Sequence, residues 1–175
     1  MFKSLNIIVC CDNKNGIGLK NKLPWNIKSD MKTFKDKTTG SGNNCVIMGK
    51  NTYFSIPEKF RPLKSRHNYI ISSTFQTDDE GLHVIRNMEE DLEQLICNSS
   101  YDKYWIIGGE SIYHTIMQNK SHLINEIHIS VLEDDFHCDT FFPKIDCNIF
   151  KLIDKTYYNE DNYFHHVYKN IAYVS

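Results

Sequence analysis

The stretch YWIIGGES, residues 104–111, decides the fold. Four large apolar residues read as a buried strand. Two glycines then let the chain turn sharply, and Glu110-Ser111 open a helix carrying Ile112 and Ile116 on one face through Asn119. A strand that ends in glycine and passes straight into a helix is the unit of a parallel sheet covered by helices. The same junction stands at 45–52, where CVIMG runs into Lys50, Asn51 and Thr52. Further short β-rich runs are LNIIVCC (5–11), NYIISS (68–73), HVI (83–85), EIHISVL (126–132), FKLIDKTYY (150–158) and YFHHVYKNIAYV (163–174). Met88 to Asn98 reads as a helix, with Met88, Leu92, Leu95 and Ile96 on one face, Asn87 as N-cap and three acids in the first turn. The last two strand candidates are joined only by NEDN (159–162), which predicts a hairpin. The expected architecture is therefore α/β: one domain over 1–175, with a central, mostly parallel, eight-stranded sheet. Its C-terminal strand is antiparallel, and helices cover both faces.

Composition narrows the function classes. The 175 residues suffice for one sizeable core, and 41% hydrophobic with 24% charged residues is ordinary globular usage. A net charge of −2 offers no global field for nucleic acid or an anionic membrane. The apolar start at 5–11 is too short to span a bilayer and no small-residue cleavage site follows it, so a cytoplasmic protein is expected. Cys10, Cys11, Cys45, Cys97, Cys138 and Cys147 form no Cys-x-x-Cys pair, and His165-His166 has no cysteine partner at finger spacing, so no metal is expected.

In parallel sheets ligands bind where loops leave the carboxyl ends of the strands. Gly108-Gly109 allows close backbone approach, and the helix start beyond it offers N–H groups to a phosphate; a ligand-free tight turn fits equally well. Lys50 and Asn51 place a cation and a donor at another helix start. NGIGLKNKLPW (15–25) is a glycine-bearing loop ending in a large aromatic, either a cover over a site or a plain surface loop. RPLKSR (61–66) sets Arg61, Lys64 and Arg66 around a proline-stiffened turn, and an arginine there can hold a carboxylate by a two-pronged bond. In PWNIKSDMKTF (24–34), a helix from Lys28 puts Asp30 on the arc of Met31, Thr33 and Phe34, opposite Lys32, Lys35 and Asp36. As a helix-start acid Asp30 would contribute about 0.3–1 kcal/mol, which does not account for its inward face.

Together and in this order, G-I-G-x(4)-L-P-W, Asp30 with Phe34, V-I-M-G-K-x-T, S-I-P-E-K-x-R-P-L-K-x-R, I-I-G-G-x-S-x-Y and D-T-F-F-P closely resemble the dihydrofolate reductase family. The resemblance runs from Leu5 to the C-terminal strands. IPEKFRPLKSR (56–66) is similar to the eukaryotic branch, whereas the short Trp25-to-Asp30 spacing and the Asp itself are similar to the bacterial form. No fused thymidylate synthase domain is expected.

The resemblance implies hydride transfer from NADPH to C6 of the dihydropterin ring with a proton delivered to N5, yielding tetrahydrofolate for one-carbon metabolism and thymidylate synthesis. It implies that Asp30 is the active-site carboxylate, pairing with the pterin 2-amino group and N3, with Trp25 beside it. Ile8, Met31, Phe34, Ile56 and Leu63 match the apolar substrate wall. Arg66 matches the grip on the α-carboxylate of the glutamate tail, and Ser130 stands where threonine is usual. On the cofactor side the matches are Cys10, Ile17, Gly18, Lys50, Asn51, Thr52, Ser72, Ser73, Arg86, Gly108, Gly109, Ser111, Ile112 and Tyr113. Asn51 and Ser73 replace the Lys and Arg common in vertebrates, but Lys50 and Arg86 keep NADPH favoured over NADH. Cys10, where alanine is usual, adds a sulfur to the pocket. The expected partner is dihydrofolate, with no nucleic acid or membrane, and the expected state is a monomer. A pyrimidine reductase of the riboflavin pathway would share the glycine pair but not Trp25, Asp30 and Arg66. A non-catalytic folate binder would be expected to lose Asp30 or the Gly108-Gly109 turn.

Overall fold

The computed structural model describes residues 4–172. Eight strands form one sheet: β1 (Ser4–Cys11), β3 (Cys45–Gly49), β4 (His67–Ile71), β5 (Leu82–Ile85), β6 (Lys103–Ile106), β7 (Ile124–Leu132), β9 (Phe150–Tyr158) and β10 (Tyr163–Asn170). Their spatial order is β5-β4-β3-β6-β1-β7-β10-β9. All neighbours up to β7 pair in parallel, and β10 pairs antiparallel with both β7 and β9. The antiparallel C-terminal strand thus lies one in from the edge, because its hairpin partner β9 takes the edge.

Side chains alternate between the two faces as the pleat requires. Leu5, Ile7 and Val9 of β1, Ile47 of β3 and Ile106 of β6 pack with α3 (Met88–Asn98) and α4 (Glu110–Asn119). Ile8, Val46, Met48, Ile70 and Trp105 point the other way, toward α1 (Lys28–Thr39) and α2 (Lys50–Ser55), with Phe34 and Tyr53 in the same cluster. Burial on both faces explains why these strands read as continuous apolar runs. Asn87 caps α3 as its sequence predicts, accepting from Glu89 N–H at 3.1 Å.

Helix α1 begins without a side-chain cap at Ile27. Its first turn is held instead by the β9–β10 hairpin: Ser29 Oγ bonds Asp161 and lies 3.3 Å from the Tyr163 hydroxyl. Tyr163 is fully buried and stacks on Tyr158 with centroids 4.7 Å apart.

Two elements differ from the sequence expectation. The 12–25 loop contains a short strand, β2 (Gly16–Gly18), paired with β8 (Thr140–Phe141). Buried Asp12 gathers this loop by accepting from the N–H groups of Lys14 (2.9 Å), Gly16 (2.7 Å) and Phe136 (3.1 Å). The last strand also ends at Asn170, before its apolar run does. There the Asn170 amide turns inward to the carbonyls of Ser121 (3.0 Å) and Ile124 (2.9 Å); residues 173–174 of that run lie outside the described residues.

The turn between α2 and β4 is fixed from below by Asn68, 1% exposed. Its amide donates to the carbonyls of Leu63 (2.9 Å) and Arg66 (2.8 Å) and accepts from Leu63 N–H (2.9 Å). Removing three hydrogen bonds of this buried side chain at once leaves backbone groups unpaired, so Asn68→Ala is expected to cost about 3 kcal/mol. Urea unfolding measures this, and an unchanged midpoint would refute the clamp.

Candidate active site

The parallel topology sets the carboxyl ends of β5, β4, β3, β6, β1 and β7 along one rim. Helix α1 starts at that rim and runs down the face of the sheet, with Asp30 in its first turn. Asp30 is half-buried between β1 and β7. Burial pushes its carboxyl above the ordinary value, and the Ser130 hydroxyl and Cys10 thiol pull it back in part as hydrogen-bond donors. Among the described residues Asp30 has no ion-pair partner. The result is an inward carboxylate held by neutral donors, an arrangement suited to receiving a cationic or amidine-like partner.

Around it, Ile8 and Trp105 on the sheet and Phe34, Ile56 and Leu63 above form one apolar cluster. Met31 stands outside this cluster and is 55% exposed. Trp25 closes the rim end, edge-to-face on Phe136 at 5.1 Å. Its indole nitrogen is buried near the Cys10 sulfur but makes no hydrogen bond with any protein atom. Burial, and next the Asp30 charge, raise the Cys10 thiol well above its usual value, so at neutral pH it is a protonated packing group and a poor nucleophile.

Arg66 lies at the opposite end of the groove, at the start of β4. Its guanidinium donates to Thr38 Oγ1 on α1 (2.9 Å) and to the Lys64 carbonyl (3.0 Å), and burial lowers its pKa. Thr38 is two turns below Asp30, about 12 Å along the helix at 1.5 Å per residue. A carboxylate at one end and a partly desolvated guanidinium at the other therefore bracket an apolar wall. Arg61 is otherwise committed: it donates to the carbonyls of Phe54 and Ile56, both at 3.1 Å, and its guanidinium lies over the Tyr53 and Phe54 rings.

The remaining candidates follow the rim. Lys50, Asn51 and Thr52 leave β3; Ser72 and Ser73 leave β4; Arg86 leaves β5 and donates to the Ser72 carbonyl at 3.0 Å. Ser72 Oγ accepts from the N–H groups of Thr74 (3.3 Å) and Phe75 (3.1 Å), tightening this turn. Lys50, Asn51, Ser73 and Arg86 are exposed. Next to them Gly108 adopts φ +120, which side chains rarely tolerate, and its carbonyl accepts from Gly49 N–H at 2.8 Å. A Cβ on Gly109 would stand 3.0 Å from Thr52 Oγ1, so the glycine pair keeps a shallow cradle open. Ser111 is exposed at the start of α4, whereas Ile112 and Tyr113 are buried; Tyr113 instead ties α4 to β1 by donating to the Ile8 carbonyl at 2.9 Å. Ile17 packs against the α4 side of the core, and a Cβ on Gly18 would stand 2.8 Å from Thr140 Oγ1.

Two clefts of about 270 and 440 Å³ open elsewhere, near Phe142–Lys144 and α4, and take in none of these residues. The candidate site is an open groove, defined by its chemistry more than by enclosed volume. Among the described residues no His/Cys/Asp/Glu group is placed to hold a metal, all six cysteines are free, and no helix is long and apolar enough to cross a membrane. Sequence reasoning missed Thr38, Asn68 and His165, whose partners lie 28, 5 and 35 residues away; alternation along β10 is the one signal that turns His165 inward.

Comparison with known proteins agrees with this geometry. A family model described as dihydrofolate reductase matches residues 4–175. The viral dihydrofolate reductase of Saimiriine herpesvirus 2 (strain 488) is 42% identical over 161 residues, covering 87% of this chain and 75% of the relative. The dihydrofolate reductase of Rattus norvegicus is 37% identical over 162 residues, covering 87% and 86%, and that of Drosophila melanogaster 36% over 146 residues, covering 80% and 79%. The match spans both the rim loops and the helix that carries Asp30, and the chain belongs to the dihydrofolate reductase family.

Proposed function

We infer that the chain catalyses NADPH-dependent reduction of 7,8-dihydrofolate to 5,6,7,8-tetrahydrofolate. The observation that carries the site assignment is the inward Asp30 at the rim with Arg66 about two helical turns below it on the same groove. Dihydrofolate has a flat amidine-bearing ring at one end and a glutamate carboxylate at the other, with an apolar benzoyl link between.

In this reading Asp30 pairs with the pterin 2-amino group and N3. Low dielectric strengthens that pairing, and the positive charge it stabilises on the ring makes N5 easier to protonate. Ile8, Phe34, Ile56 and Leu63 press the ring and benzoyl group flat, with Met31 adding an outer contact. Arg66 takes the α-carboxylate. Ser130 orients Asp30, and Trp25 shields the rim from bulk water. The rim residues suit a pyrophosphate-bearing nicotinamide cofactor: Thr52 and the glycine cradle at the diphosphate, Lys50 and Arg86 with Asn51, Ser72 and Ser73 at a 2′-phosphate, and Cys10, Ile17 and Gly18 toward the nicotinamide. When bound, NADPH supplies the hydride. One catalytic domain over 1–175, a monomeric state and a cytoplasmic location belong to the same reading, and the single described sheet with its helices supports the first of these.

Purified protein is expected to oxidise NADPH only when dihydrofolate is present, and more slowly with NADH; absence of dihydrofolate dependence overturns the reading. Asp30→Asn is expected to lose about 10²–10⁴ in hydride-transfer rate at neutral pH, recovering at low pH where substrate arrives protonated. The same substitution is expected to stabilise the fold. Because the folded Asp30 pKa is raised, native protein holds that proton more tightly than unfolded chain, so wild-type stability falls as pH rises through the shifted pKa. Asn removes that loss: the melting temperature at pH 7 rises, and the gain shrinks as pH falls toward the ordinary carboxylate range. Arg66→Leu is expected to weaken glutamate-bearing folates by about 1.5–3 kcal/mol and leave a bare pteridine inhibitor unaffected. Equal losses in the two titrations exclude the tail clamp.

A further inference from the structure

The Ser130 hydroxyl has two polar neighbours and one proton. On one side is the Asp30 carboxyl; on the other is His165 Nδ1, 3.1 Å away. β10 places His165 directly opposite Ser130 on β7, and the two are 5% and 1% exposed. A carboxylate only accepts, so Ser130 can serve Asp30 fully only if His165 Nδ1 carries a proton and donates to Oγ. With the proton on Nε2, Nδ1 would take the Ser130 proton and leave the hydroxyl oxygen facing the carboxylate.

Two observations select the first arrangement. His165 Nε2 is buried without a protein partner, and an N–H there would be an orphaned donor, the rarer and costlier state than a bare lone pair. His128, whose ring lies 5.7 Å from that of His165, follows the same rule: its Nε2 faces Glu126 Oε2 at 3.0 Å, and its buried Nδ1 has no protein partner. A carboxylate at Glu126 requires the His128 proton on Nε2. The imidazolium form of His165 is disfavoured as well. Burial holds its pKa down to about 4, with His128 of β7, Lys37 of α1 and neighbouring His166 acting in the same sense and Asp154 of β9 opposing.

We propose that His165 is a positioning residue for Asp30: its Nδ1–H donates to Ser130 Oγ and commits the single Ser130 hydroxyl proton to the carboxylate. Each bond in such a one-way chain polarises the next, so the charged form of Asp30 gains from a ring it does not touch. The functional meaning rests on the reading of Asp30 as the substrate-pairing carboxylate, whereas the hydrogen-bond chain can be measured without turnover.

Nitrogen NMR of the unaltered protein at pH 7 is expected to show His165 neutral and protonated on Nδ1; a ring protonated on Nε2 overturns the proposal. The Asp30 carboxyl carbon, assigned by its loss in Asp30→Asn, reads the consequence. His165→Phe removes the donor and is expected to raise the Asp30 pKa by about half a unit or more. His165→Asn, whose amide nitrogen can occupy the Nδ1 position, is expected to stay near wild type. In a Ser130→Ala background His165→Phe is expected to add nothing, and an equal shift there would mean that His165 acts by burial alone. If the phenylalanine variant does not fold, the tautomer of the native ring still decides. Failure of the NADPH assay and failure of these measurements are separate outcomes.

Discussion

A carboxylate taken out of water without a cation beside it governs how this molecule is built. Asp30 is pushed toward its neutral form by burial, and the groups that resist are neutral donors, Ser130 and Cys10. A lysine or arginine in their place would satisfy Asp30 permanently and remove its capacity to pair with a ligand. The fold tolerates the charge because Asp30 also lies in the first turn of α1, where the helix dipole favours an anion. That helix start has no side-chain cap, so its placement depends on the C-terminal hairpin through Ser29, Asp161 and Tyr163. The last elements of the chain thereby position the residue near its beginning.

Parallel pairing supplies the second half of the arrangement. Strands that share a direction deliver their carboxyl ends to one rim, so residues as distant as Cys10, Lys50, Ser72, Arg86 and Gly108 become neighbours along it. The groove under α1 and the rim meet at Asp30 and Cys10. A substrate lying down the groove and a cofactor lying along the rim would be brought together there, which is the geometry a direct hydride transfer needs.

All eight sheet strands and three of the four helices were legible in the sequence, the strands as apolar or β-branched runs bounded by turn residues and the helices by side chains recurring on one face. The fourth, α2, showed only as a helix start after Gly49. FKLIDKTYY coincides with β9, and Met88 to Asn98 with α3. The pair β2–β8 was not legible. Two- and three-residue strands carry no period, and this pair exists because buried Asp12 folds the loop back on itself. The run at 163–174 extends past β10, which ends at Asn170, where the side-chain amide turns to the carbonyls of Ser121 and Ile124. Motifs singled out Asp30 and Arg66 as candidates but carried no signal for Thr38, which accepts a hydrogen bond from the arginine. The His165-His166 doublet offered only a weak metal signal. The pleat separates its two rings onto opposite faces, and His165 alone meets Ser130.

Helix α1 is the ruler of the groove. Asp30, Phe34 and Thr38 recur at four-residue intervals, so one stripe of the helix carries the carboxylate, the middle of the apolar wall and the seat of Arg66. A one-residue insertion or deletion between Asp30 and Thr38 would turn one end about 100° relative to the other and shift it by about 1.5 Å. Both polar ends cannot then face the sheet together. In the proposed reading, the helix matches the substrate in length and its two ends match the substrate in charge. The neutral chain from His165 through Ser130 then sets how strongly the upper end holds its charge.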